Sequence, residues 1–230
     1  MYDIFMLTYK EPNGDENFAR LKKLQPKAQR IDNIKGILNA HKMCAENSKG
    51  SHFYVVDGDN YVYDSFHFDY EIKEEDQEAI HVWRCKNAVN DLVYGYGAIK
   101  LFPKVHVQAK ANMNLDMSTS LAPKYRIIHT LASETQFNTD PYNTWKSAFR
   151  ECVKLSSGLI KNSQQKESQE RLDTWCELGA DRPFGKWCIL GANMGREFVD
   201  VNKEQPEQLN KINDFDWLEE KFKEVELSQT

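Results

Sequence analysis

Three short strand-like runs, separated by two helix-length segments, constrain this chain more than any other feature. Ile4 to Tyr9 reads as a strand. "NGDENFARLKKL" follows, with Asp15 placed to cap a helix and Phe18, Leu21 and Leu24 spaced along one face. "AQRID" reads as a second strand. "GILNAHKMCAENSKG" reads as a second helix, with Ile37, Ala40, Cys44 and Ala45 inward and Gly50 as a stop. "HFYVVD" is the third strand, apolar almost throughout, as a parallel strand covered on both faces must be. Strand, helix, strand, helix, strand predicts an α/β chain built on an open sheet flanked by helices.

Beyond residue 60 the pattern loosens. "IHVWRCKN", "GAIKLFPK" and "YRIIHTLAS" are strand-like, the first two separated by the loop "AVNDLVYGYG". "DPYNTWKSAFRECVKL" is the clearest helix, with Asp140 as cap, Pro141 at the first position and a buried stripe of Trp145, Ala148, Phe149, Cys152 and Val153. "NSQQKESQE" reads as an exposed loop or the start of a helix running through Leu172 and Trp175. "FGKWCILGANMG" reads as a short strand or buried turn ended by glycines, and "NDFDWLEEKFKEVEL" as an amphipathic helix using Phe215, Leu218, Phe222 and Val225.

The third strand ends in "VVDGDN", which places Asp57 and Asp59 on either side of Gly58. Ligands of open α/β sheets bind beyond the carboxyl ends of the strands. In an extended segment, residues two apart share a side, so both carboxylates can face one ligand. Two hard oxygen donors suit Mg²⁺ or Mn²⁺, with water and phosphate oxygens in the remaining positions. Such an ion neutralises a departing diphosphate. Three rival readings stay open at this stage. "VVDGDNYVY" also fits a β-hairpin with its turn at Asp-Gly. A phosphatase of the haloacid dehalogenase type carries a similar aspartate pair, but on an early strand and without a tyrosine in the place of Tyr61. In a calcium loop the ligand spacing lapses after Asn60.

Roughly the first hundred residues resemble the GT-A class of nucleotide-sugar-dependent glycosyltransferases. The stretches concerned are "MLTYKEPN" and "KGILNAHKMCAENSKGSHFYVVDGDNYV", with Asn39, Ala40, Ala45, Asp57 and Asp59 at matching positions. "VYGYGAIKLFPK", "QFNTDPYNTWKSAFRECVKL", "RLDTWC" and "FGKWCILGANMGREF" extend the resemblance towards small phage glycosyltransferases, arabinosyltransferases among them, that modify hydroxymethylated bases of viral DNA. "QFNT" departs from that pattern by lacking an arginine before the phenylalanine. The resemblance implies a GT-A-like (Rossmann-like) mixed sheet in one domain over residues 1–230. Residues 1–100 would form the nucleotide-sugar-binding half and 101–230 the acceptor half with the C-terminal helices. It implies a UDP-sugar donor (arabinose or glucose), Mn²⁺ or Mg²⁺ on Asp57 and Asp59, and a 5-hydroxymethylated pyrimidine such as hydroxymethylcytosine as acceptor. Two alternatives stand beside it: transfer to surface polysaccharide, and a non-catalytic nucleic-acid-binding protein.

Individual residues follow from these readings. Thr8, Tyr9, Lys10 and Glu11 leave the first strand where a base would lie, and Lys35, Gly36 and Asn39 begin the second helix, whose N–H groups meet ribose or phosphate. Gly58 admits close approach to the backbone. Arg150 and Arg196 are candidate phosphate ligands, and Glu151 or Asp140 the candidate base for an acceptor hydroxyl. The formal net charge of −5 excludes an overall basic surface but not a local one. Lys100, Lys104, Lys110, Lys124 and Arg126 are diluted only by Asp116, and Tyr94 and Tyr96 lie just upstream, so this stretch is the candidate DNA surface. Five scattered cysteines suit a reducing, cytoplasmic compartment, the host cytoplasm if the protein is viral. No basic leader precedes the first strand and no apolar run reaches ~18 residues, so no membrane partner is expected.

Overall fold

The computed structural model describes residues 2–95, 98–113, 115–121, 123–159 and 165–228. The chain divides into two compact units: a sheet unit (Met1–Met113 and Met117–Gln136) and a helical unit (Asn114–Asp116 and Phe137–Thr230).

The sheet unit begins with β1 (Asp3–Thr8), α1 (Gly14–Leu24), β2 (Gln29–Asp32), α2 (Ile37–Asn47) and β3 (His52–Asp57). It continues with β4 (Asn60–Val62), β5 (Ala79–Asn87), β6 (Val93–Tyr94), β7 (Ile99–Pro103), α3 (Lys104–Ala109), α4 (Met117–Leu121) and β8 (Lys124–Thr135). Among the described residues the sheet runs β2-β1-β3-β7-β5-β8-β4, with β6 on β5. β1 is parallel to β2 and β3, while β7 runs antiparallel to β3 and to β5. This is the open mixed α/β sheet expected from the sequence.

Strand alternation divides the core in two. Ile4, Met6, Tyr54, Val56, Trp83, Ile99 and Leu101 face one side, where Leu21 of α1 joins Phe66 and Phe68. Phe5, Phe53, Val55, Ile80, Val82 and Phe102 face the other, under Leu38, Cys44 and Ala45 of α2, Val107 of α3, and Met117 and Leu121 of α4. β8 stays parallel to β5 through a bulge: the pair Trp83–Ile128 is followed by Arg84–Leu131.

Several local expectations change. Asn13, not Asp15, precedes α1, and it makes no side-chain cap; Asp15 lies in the first turn. Ile37, the first residue of α2, is exposed, and Leu38 and His41 join Ala40, Cys44 and Ala45 on the buried face. α2 stops at Ser48, whose N–H bonds the Cys44 carbonyl, before Gly50 is reached.

The helical unit holds α5 (Pro141–Ser156), α6 (Gln165–Glu177), α7 (Gly185–Asn202), α8 (Pro206–Leu209) and α9 (Phe215–Ser228). Asp140 caps α5 by accepting from the Asn143 N–H at 2.7 Å. The stripe of Trp145, Ala148, Phe149, Cys152 and Val153 is buried as its spacing predicted. α6 begins within "NSQQKESQE", of which residues 162–164 lie outside the described ones. "FGKWCILGANMG", expected as strand or turn, is instead most of helix α7. Its glycines are contact points rather than breaks. A Cβ on Gly191 would stand 2.4 Å from the Trp145 carbonyl oxygen, and one on Gly195 2.6 Å from that of Phe149. The helices press backbone against backbone there, which outweighs the low helix propensity of glycine. Among the described residues, no helix is long and apolar enough to cross a membrane.

Candidate functional site

Because β1, β2 and β3 are parallel, their carboxyl ends share one edge. Thr8 is in register with Asp32, and Leu7 with Asp57. The Thr8 hydroxyl donates to Asp32 and accepts from Arg30 Nε at 2.7 Å. Arg30 also bridges Asp32, at 3.3 Å, and Asp15 of α1. Lys10 and Asn33 take positive φ of 64° and 55°, so the chain turns sharply away from β1 and β2. The Glu11 carboxylate accepts from the Tyr9 N–H and folds back beside Gly58. Lys10 lies over the Tyr9 ring, its ammonium 5.6 Å from the centroid.

Asp57 ends β3, and Gly58 and Asp59 form the turn to β4, but this turn does not close a hairpin. β3 pairs with β1 and β7, whereas β4 pairs with β8. The turn is pinned on both sides. Asn17 of α1 donates to the Gly58 carbonyl at 2.9 Å, and the Gln136 N–H donates to the Asp59 carbonyl at 2.7 Å. Gly58 lies so close to β1 that a Cβ would sit 2.7 Å from the Leu7 carbonyl oxygen. Asn60, itself buried and held by Ser133, donates to Asp59 Oδ1 at 2.9 Å. The backbone is fixed while both carboxylates stay partly open to solvent. Lys100 of β7 places its ammonium 3.7 Å from Asp57 Oδ2; its side chain is 7% exposed and that of Asp57 31%.

α2 enters from the same edge. Gly36 adopts φ 89°, a region that glycine tolerates, and no side chain caps the helix. Asn39 instead donates to the Lys35 carbonyl at 3.0 Å, and Lys35 and Asn39 are exposed. His41 is buried, with Nδ1 donating to the Ile37 carbonyl at 2.8 Å. Burial, aided by the nearby Lys100 charge, pushes its pKa down to about 3. His41 is thus a neutral core residue, its ring packed on Phe102.

The donor set bears on which ion would fit. Among the described residues no three acidic, histidine or cysteine side chains gather around one point. Two partly exposed carboxylates do not make an all-protein cage. They do suit Mg²⁺ or Mn²⁺ that brings phosphate and water oxygens as its other ligands.

The other candidates are engaged elsewhere. Arg150 donates to the Ile212 carbonyl at 2.7 Å and lies over Phe215, tying α5 to the segment before α9. Glu151 is near Lys154 at 3.9 Å, and Lys154 also reaches Asp116. Asp140 is the α5 cap. Arg196 hydrogen-bonds the Cys176 thiol, whose pKa falls to about 7 under the influence first of Cys152 and then of Arg196. The glycines beside Arg196 serve helix packing rather than ligand approach.

The basic stretch does not form a bare stripe. Lys100 and Tyr94 are buried, so neither belongs to an exposed DNA surface, and Tyr96 lies outside the described residues. Lys104 donates to the Ser48 carbonyl at 2.7 Å. Lys124 donates to the Glu75 carbonyl at 3.0 Å, and Arg126 pairs with Asp76 at 2.7 Å. Lys110 follows α3, half-buried. The acids at Glu74, Glu75 and Asp76 are remote in sequence, and β5–β8 pairing brings their segment alongside.

Four members of the site, Asp32, Arg30, Asn17 and Lys100, were not placed there by the sequence, which put Lys100 on the candidate DNA surface instead. Asp32 ends its strand as Asp57 ends β3, and the same argument applied to "AQRID" finds it. Arg30 and Asn17 carry no comparable signal. Lys100 does: a lysine inside "AIKLF", flanked by apolar residues, marks a buried cation.

No protein-family profile matches the chain, and no curated protein matches it. Among solved structures, HddC from Yersinia pseudotuberculosis complexed with GMP-PN is similar at 14% identity, covering 57% of this chain and 92% of that one, with a TM-score of 0.40. A second HddC structure gives 15% identity, 56% and 69% coverage, and a TM-score of 0.35. S. aureus TarS 1-349 gives 8% identity, 88% and 91% coverage, and a TM-score of 0.36.

Proposed function

We propose that this chain is a glycosyltransferase of GT-A-like build, with a nucleotide diphosphate sugar at the carboxyl ends of β1, β2 and β3. The observation that carries the reading is the Asp57-Gly58-Asp59 turn. It is pinned through its backbone at a parallel strand end, is not a hairpin, and presents two carboxylates. Thr8, Glu11 and Asp32 line the strand ends where a base and ribose would lie in this reading, and their polar groups are already held by hydrogen bonds. Asp57 and Asp59 would hold Mg²⁺ or Mn²⁺, which supplies charge neutralisation to a departing diphosphate. The uridine base and a pentosyl or hexosyl group follow from the resemblance set out above, as does a hydroxymethylated pyrimidine of DNA as acceptor. A glycan hydroxyl is the second reading, favoured by the pairing of Lys124 and Arg126 with the Glu75–Asp76 segment.

The test is incubation with a panel of UDP-sugars plus Mn²⁺, first without acceptor to follow donor hydrolysis. Hydroxymethylated DNA or oligosaccharides are then added and the products followed by mass spectrometry. Asp59→Asn is expected to lower turnover at least 100-fold with the fold intact. Full activity of this variant, or of the parent in chelator, sinks the metal assignment. Activity on oligosaccharide alone sinks the DNA acceptor and leaves the donor site standing.

A further inference from the structure

Lys100 is an unusual group to find inside this sheet. Its cross-strand neighbours are Val55 on β3 and Val82 on β5, both part of the core beneath α2. Burying a lone ammonium among apolar side chains is costly unless it is paired. The carboxylate of Asp57 stands 3.7 Å away, too far for a good hydrogen bond. On the helix side stands His41, neutral and with its Nε2 atom unpartnered. The positive charge of Lys100 is therefore directed at the Asp57 end of β3 and is poorly matched there.

We propose that Lys100 is a positioning residue acting through Asp57: its fixed charge keeps a free divalent ion off the aspartate pair, so that the ion enters only with an anionic ligand. A divalent ion arriving alone meets an aspartate pair of which Asp57 is already partly neutralised, and a like charge 3.7 Å from one of its ligand oxygens. An arriving diphosphate reverses that balance. It brings negative charge that the ammonium and the ion can share. Charge matching at the strand end thus sets the order of loading. The inference rests on the proposed function for the aspartate pair as the seat of the ion and for the identity of the anion.

The experiment is a Mn²⁺ titration of the full chain followed by electron paramagnetic resonance, without nucleotide and then with UDP. Lys100→Met removes the charge and leaves a side chain of similar length that suits Val55 and Val82. It is expected to bind Mn²⁺ without nucleotide at least ten-fold more tightly than the parent. Lys100→Arg keeps the charge and is expected to stay near the parent. Adding Asp59→Asn to Lys100→Met should abolish the gain. Unchanged or weaker Mn²⁺ binding by folded Lys100→Met overturns the proposal, as does a gain that survives Asp59→Asn. If circular dichroism shows Lys100→Met unfolded, Lys100→Gln is judged by the same comparison. UDP that fails to promote Mn²⁺ binding by the parent refutes the nucleotide reading, while the ratio between variant and parent still decides the role of Lys100.

Discussion

Replacing Gly58 by alanine probes the site at its tightest point. The added methyl would stand 2.7 Å from the Leu7 carbonyl oxygen, 2.8 Å from Thr8 Cγ2 and 3.1 Å from Glu11 Oε2. Thr8 and Glu11 have side chains that can shift, but the Leu7 carbonyl belongs to the β1 backbone and cannot. Relief requires the Asp57–Asp59 turn to lift by several tenths of an ångström. The bonds from Asn17 and Gln136 oppose that movement. Overpacking of this kind costs about 1–3 kcal/mol, or roughly 2–12 °C in Tm for a protein of this size. The displaced carboxylates matter more for activity, because a shift approaching 1 Å is enough to cost about 100-fold. Gly50→Ala is the control, since its nearest non-adjacent atom would be 3.4 Å from the new methyl. Urea denaturation and donor hydrolysis are measured on both variants. If Gly58→Ala is as stable and active as Gly50→Ala, the close approach to β1 does not hold the turn.

Two further outcomes follow from the buried groups. The pKa of His41 is about 3 in the folded chain against a reference of 6.5, so only the unfolded chain gains this proton as pH falls from 6.5. Stability should then decline by roughly 1 kcal/mol per pH unit from this group. His41→Leu should flatten that part of a urea-denaturation pH series. The slope will not vanish, because His52 and His81 are shifted the same way; an unchanged slope counts against a neutral, buried His41. At α5, Asp140→Asn keeps a capping oxygen and removes the carboxylate, so stability and transfer should both hold, whereas Asp140→Ala should lose about 1 kcal/mol. Loss of transfer in the Asn variant at full stability would restore Asp140 as the catalytic base.

Local pattern alone determined the parallel strands, the first two helices, α5 and the aspartate pair at a strand end. Each of these is governed by spacing within a few residues: alternation and apolar runs for strands, a 3.6-residue period and a cap for helices. What the tertiary structure decided depends on partners far apart in sequence. "VVDGDNYVY" is compatible with a hairpin until β4 chooses β8 rather than β3. "FGKWCILGANMG" looks like a turn until the backbone of α5 is present to make its glycines useful. The lysines and arginine of the 100–126 stretch look like one basic surface because acids were counted only along the chain. Sheet pairing then buries Lys100 beside Asp57, sets the Asp76 carboxylate against Arg126 and brings the Glu75 carbonyl to Lys124. Electrostatic energy falls with distance in space, not in sequence, so which of these charges meet was decided only once the strands were laid side by side.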